Sequence, residues 1–153
     1  MTDILLRPLV ALLLKRGVGL GGLPTAQQAL VFALVWAGLP EGGMSERQVN
    51  EELKGQLAGA ASFLDTDHVE LRRWLVDAGW LARDGYGREY RRVPLAALAD
   101  ANPAEATPAG HATALALASL PVAQWVQAQR SAHQAQRAAR HQAWAQQQQA
   151  GKP

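Results

Sequence analysis

The spacing of apolar positions changes several times along the chain, and each change predicts a different element. Residues 4–16 are Leu-rich, with Pro8 in the first turn, where a helix tolerates proline because those amides have no intrahelical partner. Gly17, Gly19, Gly21 and Gly22 end that segment. Pro24 then precedes Thr25 to Gln28, which has capping-box spacing, and a buried helix is expected to run through Trp36. The stretch 39–43, with Pro40, Gly42 and Gly43, breaks the chain. Ser45 and Gln48 supply a second capping box, with Met44 and Val49 placed to staple across it. Val49, Leu53 and Leu57 recur every four residues, giving a one-sided helix that leaves Glu46, Arg47, Glu51, Glu52 and Lys54 to water.

Residues 55–62 are small and predict an extended turn. Asp67 and Glu70 have the spacing of a third box, with Asp67 as N-cap, and Leu71, Trp74, Leu75 and Ala78 share one face of the helix that follows. Gly79 suits the left-handed conformation that closes such a helix. Residues 81–83 and 88–93 flank Asp84, Gly85, Tyr86 and Gly87, and glycines in that loop permit the positive φ of a tight hairpin. Residues 99–110 have the Pro/Ala/Gly composition of a linker. An apolar run, 112–120, leads into an Ala/Gln/Arg helix over about 121–149.

Helix, turn, helix and short basic hairpin, in that order over 45–93, predict a winged helix-turn-helix. The fold class expected is therefore mainly α with a small β-hairpin, followed by a long C-terminal helix. The division expected is a winged-helix domain with its N-terminal helix over 1–94, a linker with an apolar segment over 95–120, and a basic amphipathic helix over 121–149. Such a module sets its second helix against a DNA major groove and lays Arg-bearing loops along phosphates. The outward candidates are His68, Arg72 and Arg73 on that helix, and Arg83, Arg88, Arg91 and Arg92 on the hairpin. Arg73 has a plainer reading as well, since it lies three residues after Glu70 and four before Asp77, the spacing of intrahelical ion pairs. Asp65, Asp67 and Glu70 crowd the start of the same helix and oppose phosphate there, which passes the role to the hairpin or to a protein partner.

The same blocks resemble a bacterial family known only as a domain of unknown function, whose members stand beside, or are fused to, helix-turn-helix regulators. The resemblance is carried by Ser45 and Glu46 leading into Val49 and Asn50, by an aspartate ahead of Leu71, Arg72 and Arg73, by Leu75, Val76 and Asp77, and by Leu81, Arg83, Gly87, Arg88, Glu89 and Tyr90. It covers about residues 23–93 and implies a winged-helix fold and transcriptional regulation. It implies no substrate, ligand or activity, and it extends neither to the Gly/Ala-rich turn at 55–61 nor to the C-terminal extension.

Charge alters this picture mainly at the C-terminal end. The formal net charge is only +2, yet no acidic residue follows Glu105, while Arg130, Arg137, Arg140 and Lys152 do. At 100° per residue, Arg130, His133, Arg137, Arg140, His141 and Trp144 fall on one side of the last helix. Trp125, Ala128, Ala132, Ala135, Ala139 and Ala143 fall on the other. The Ala side predicts a docking or dimerisation face, with Arg130, Arg137 and Arg140 as a secondary basic stripe; the plainer reading is a solvated Ala/Gln helix. Large apolar residues at both seam positions of a heptad are absent, so a coiled coil does not follow. Of the five tryptophans, four read as core and Trp144 as an exposed anchor.

Several classes of chemistry find no support. The chain has no cysteine, which excludes disulfides, thiolate metal sites and a cysteine nucleophile. Asp65, Asp67 and His68 form no coordination shell without a second cluster, and His133 and His141 are about 12 Å apart along a helix, too far to share one ion. The glycines at 17–22 lack a Gly-Lys-Ser/Thr ending, and no Ser/His/Asp set or carboxylate pair is evident. No enzyme, cofactor or metal is expected. The apolar runs 9–14 and 29–39 are short of the roughly 20 residues that span a bilayer, and no cleavage-site pattern follows the first, so a cytoplasmic protein without a membrane partner is expected. The leading reading is a DNA-binding regulator on double-stranded DNA, as a homodimer. The alternative is a non-catalytic interaction module that engages a partner protein through its C-terminal helix.

Overall fold

The computed structural model describes residues 2–98 and 108–151. Six α-helices and a three-stranded antiparallel sheet are present among these residues. The helices are α1 (Thr2–Leu13), α2 (Thr25–Gly38), α3 (Glu46–Ala58), α4 (His68–Asp77), α5 (Pro108–Ala118) and α6 (Val122–Ala150). The strands are β1 (Met44–Ser45), β2 (Leu81–Arg83) and β3 (Glu89–Arg92), in spatial order β1-β3-β2.

The core is organised around α2. Every residue from Ala29 to Trp36 is buried, so this helix is apolar all round and must be covered on all sides. Its neighbours are α1, α3, α5 and α6. The closest is α5, which reaches α2 with small side chains: Gly110, Thr113 and Ala114 are buried beside Leu117. The hydroxyl of buried Thr113 donates to the Ala109 carbonyl at 2.7 Å, so it is satisfied within its own helix. The apolar segment following the expected linker thus belongs to the core, and its helix starts at Pro108, two residues before the linker was expected to end. Linker residues 99–107 lie outside the described residues.

Local signals set most boundaries. Ser45 forms both arms of its capping box: its Oγ accepts from the Gln48 amide at 3.1 Å, and its own amide donates to Gln48 Oε1 at 2.8 Å. Asp67 accepts from the Glu70 amide at 2.7 Å, which caps α4; Glu70 accepts from the Thr66 hydroxyl rather than closing a reciprocal box. Asp67→Ala is expected to destabilise the protein by about 1 kcal/mol, read as a shift in the urea midpoint at unchanged slope. Gly79 closes α4 at φ +81°, as its position suggests.

Three expectations are corrected. The Thr25 box does not form, because α2 begins one residue early on Pro24, whose carbonyl accepts the Gln27 and Gln28 amides; the Gln28 side chain reaches back to the Leu20 carbonyl at 2.8 Å. The turn expected over 55–62 begins later, since α3 continues through Gly55 to Ala58. That extension is held by Gln56, whose side-chain amide donates to the Val35 carbonyl of α2. Third, where α6 packs on its own domain it does so by a face other than its Ala side, which stays open to a partner. Val122, Trp125, Val126, Gln129, Arg130 and His133 face the body, while Ala128, Ala132, Ala135, Ala139 and Ala143 are all exposed. Buried Val122 and Val126 bring more apolar area to the body than alanines would, and they determine which face turns inward.

Candidate nucleic-acid interface

The hairpin and α4 form one surface. Leu81, Ala82 and Arg83 pair with Arg92, Arg91 and Tyr90, and the turn between the strands is closed by Asp84. Its amide donates to the Glu89 carbonyl, its carbonyl accepts from Gly87 at φ +69°, and its carboxylate accepts from the Arg88 amide at 2.8 Å. That bond to Arg88 is the main reason the Asp84 carboxyl titrates below its ordinary value; desolvation opposes it, and the Glu89, Tyr86 and Gly87 amides each add a lesser lowering. A depressed carboxyl of this kind favours the closed turn above its unfolded value and ceases to do so as pH falls through the folded value. Met44 and Ser45 add a third strand by pairing with Tyr90 and Glu89, which ties the start of α3 to the hairpin.

The seven candidate side chains divide into two groups. Arg72 is internal: Nη1 donates to Asn50 Oδ1 at 2.6 Å and lies 3.4 Å from Glu46, and the guanidinium sits 5.2 Å from the centre of the Tyr90 ring. It joins α4 to α3 and β3. Arg92 is held more firmly still. Its guanidinium donates to the carbonyls of Trp36 and Leu39 at 3.2 and 3.1 Å, pairs with Glu41 at 2.9 Å, and lies over the Trp36 ring at 4.4 Å. Carbonyls at the end of a helix have no intrahelical partner, and Arg92 serves that end of α2.

The second group faces solvent. Arg73, Arg83, Arg88 and Arg91 are exposed, and His68 is half-buried. Arg91 pairs with Glu89 at 3.1 Å, and Arg88 lies 5.8 Å from the ring centre of Tyr86, which is 85% exposed. Arg73 and Arg83 converge on a cleft of about 260 Å³ between α4 and the hairpin, lined also by Arg72, Val76, Asp77 and Tyr90. The acidic start of α4 lies at the far end of the helix, with Asp67 engaged as cap and Glu70 accepting from Thr66.

The secondary stripe divides in the same way. Arg137 and Arg140 are exposed, whereas Arg130 donates to the carbonyls of Gly59 at 2.9 Å and Ala60 at 3.1 Å and approaches that of Leu13 at 3.4 Å. Burial lowers its pKa from the ordinary arginine value. Trp144 is 57% exposed and stacks on His141, as its position among the basic residues suggests. Among the described residues no three His, Asp or Glu side chains gather to hold a metal ion, and no helix is long and apolar enough to cross a membrane. Sequence reasoning passed over Lys15 and Arg16, two adjacent cations just after α1. Their only local signal was a basic pair ahead of a glycine, and the structure sets them opposite Arg130 and Arg137.

Residues 24–92 match a family described as an uncharacterized protein conserved in bacteria (DUF2087). That stretch begins at the cap of α2 and ends on β3, so it takes in α2, α3, α4 and the whole sheet, and leaves α1, α5 and α6 outside. No curated protein and no solved structure matches the chain.

Proposed function

We propose that the chain is a DNA-binding regulator built on a winged helix, with phosphate contacts made by the hairpin and the C-terminal half of α4. The observation that carries this reading is the cleft shared by Arg73 and Arg83, with Arg88 and Arg91 continuing the positive edge along the hairpin. The element order α2, β1, α3, α4, β2, β3 and the strand order β1-β3-β2 support the winged-helix assignment. Arg72 and Arg92 hold the scaffold in this reading, and the acidic start of α4 keeps its N-terminus off the phosphates.

The test is fluorescence anisotropy of mixed genomic duplex fragments across a salt series, with an Arg73→Ala, Arg83→Ala, Arg88→Ala triple variant alongside. Each phosphate neutralised contributes about −0.9 to the slope of log K against log salt, so the variant is expected to lose two to three units of slope and at least tenfold in affinity at low salt. Absence of binding by the parent protein at low salt would sink the reading. The second reading, an interaction module, is favoured by the exposed alanines of α6 and by Trp144. It takes over on that outcome.

A further inference from the structure

The largest cavity described, about 590 Å³, is not at the hairpin. It lies between the end of α1, the turn that joins α3 to α4, and α6, and it is lined by Leu13, Leu14, Lys15, Arg16, Ser62, Phe63, Arg130, His133, Gln134 and Arg137. The walls are fixed to one another. The Val18 amide donates to the Phe63 carbonyl at 2.9 Å and the Asp65 amide to the Val18 carbonyl at 2.8 Å, which locks the segment after α1 against the α3–α4 turn. Arg130 closes the third side through its bonds to Gly59 and Ala60.

Four permanent cations line this space, His133 lies beside them, and no carboxylate is in the lining. None of the four makes an ion pair among the described residues, where every pair formed by Lys or Arg lies elsewhere. Four formal positive charges thus meet at one cavity in a chain whose net charge is only +2. Like charges held together in a concave site raise the local concentration of anions and are relieved by binding one.

We infer that this cavity is a binding site for a small ligand carrying two or more linked phosphate groups. Its volume falls within the range of small-molecule sites, roughly 300–1,000 Å³. The exposed cations come from two walls, Lys15 and Arg16 on one and Arg137 on the other, so a ligand with spaced charges bridges them where a single phosphate engages only one side. Arginine forks suit phosphate oxygens in pairs, and the Ser62 hydroxyl and Gln134 amide add neutral donors. Arg130, whose donors are committed to carbonyls, contributes charge rather than hydrogen bonds.

The inference is independent of DNA binding, and the experiment keeps the two apart. Inorganic tripolyphosphate is titrated calorimetrically into the full chain, with orthophosphate as the comparison, and into two variants: Arg16→Ala with Arg137→Ala at the cavity, and Arg83→Ala with Arg88→Ala at the hairpin. All four positions are exposed, so both variants are expected to keep the parent melting temperature. The expected result is one tripolyphosphate per chain, at least tenfold tighter than orthophosphate, weakened tenfold or more in the cavity variant and unchanged in the hairpin variant. Equal binding by both variants, or none by the parent at low salt, overturns the proposal. So does a cavity variant that loses duplex DNA binding while the parent ignores tripolyphosphate, because the cavity then belongs to a nucleic-acid surface.

Discussion

Arg92→Ala is expected to destabilise the protein by about 2–4 kcal/mol, whereas Arg91→Ala, one residue away on the same strand, shifts stability by no more than about 0.5 kcal/mol. The difference comes from surroundings alone. Arg91 is exposed and its one partner is Glu89, an exposed pair of the kind that contributes little. Arg92 holds two carbonyls at the end of α2, pairs with Glu41 and covers the Trp36 ring, so truncation strands the Leu39 carbonyl, leaves the Trp36 carbonyl with the Leu39 amide alone and removes a cation–π contact together. Trp36 is itself anchored by its indole N–H to the Val93 carbonyl at 2.7 Å, so the loss spreads to the start of the chain beyond β3. Urea unfolding of both variants measures the contrast. Equal midpoints would refute the internal role of Arg92. Arg92→Lys is expected to recover less than half of the loss, because an ammonium cannot reach two carbonyls and a carboxylate with the geometry of a fork.

The second large effect is expected at Arg130. Its replacement by alanine leaves the Ala60 carbonyl without its donor, leaves the Gly59 carbonyl with the Ser62 amide alone, and releases α6 from the end of α1, for a loss of about 1.5–3 kcal/mol. Arg137, seven residues on and exposed, is expected to be neutral to folding. Hydrogen exchange separates this from a general loss of stability: amides over 122–133 should exchange faster in Arg130→Ala while those of buried α2 keep their protection. Uniform acceleration of both would mean that Arg130 only contributes to global stability.

These two arginines also show where sequence reading stops. The Ser45 box, the Asp67 cap, Gly79 and the Asp84 turn were all legible because each is completed within four residues. So was the exposure of Trp144, from the basic residues around it. Arg92 meets Leu39 across 53 positions and Arg130 meets Leu13 across 117, and no local pattern carries such contacts. In sequence both are indistinguishable from the surface arginines near them. Strand β1 was missed for a related reason: at two residues it has no alternation to detect and exists because Tyr90 and Glu89 lie opposite. The Thr25 box failed because Pro24, with its fixed φ, was an equally good place to begin a helix. For α6 the expected division of faces did not give the inward one, which takes Trp125 from the Ala side with Arg130 and His133 from the basic side and is set by Val122 and Val126.

Beyond Arg130 the last helix continues to Ala150 with nearly every side chain in water. From that anchor to Trp144 is about 21 Å of rod at 1.5 Å per residue, with His133 still turned to the body one turn along it. The helix is therefore a lever with its fulcrum on three backbone carbonyls. A tilt of about 10° at the root would carry Trp144 through about 4 Å.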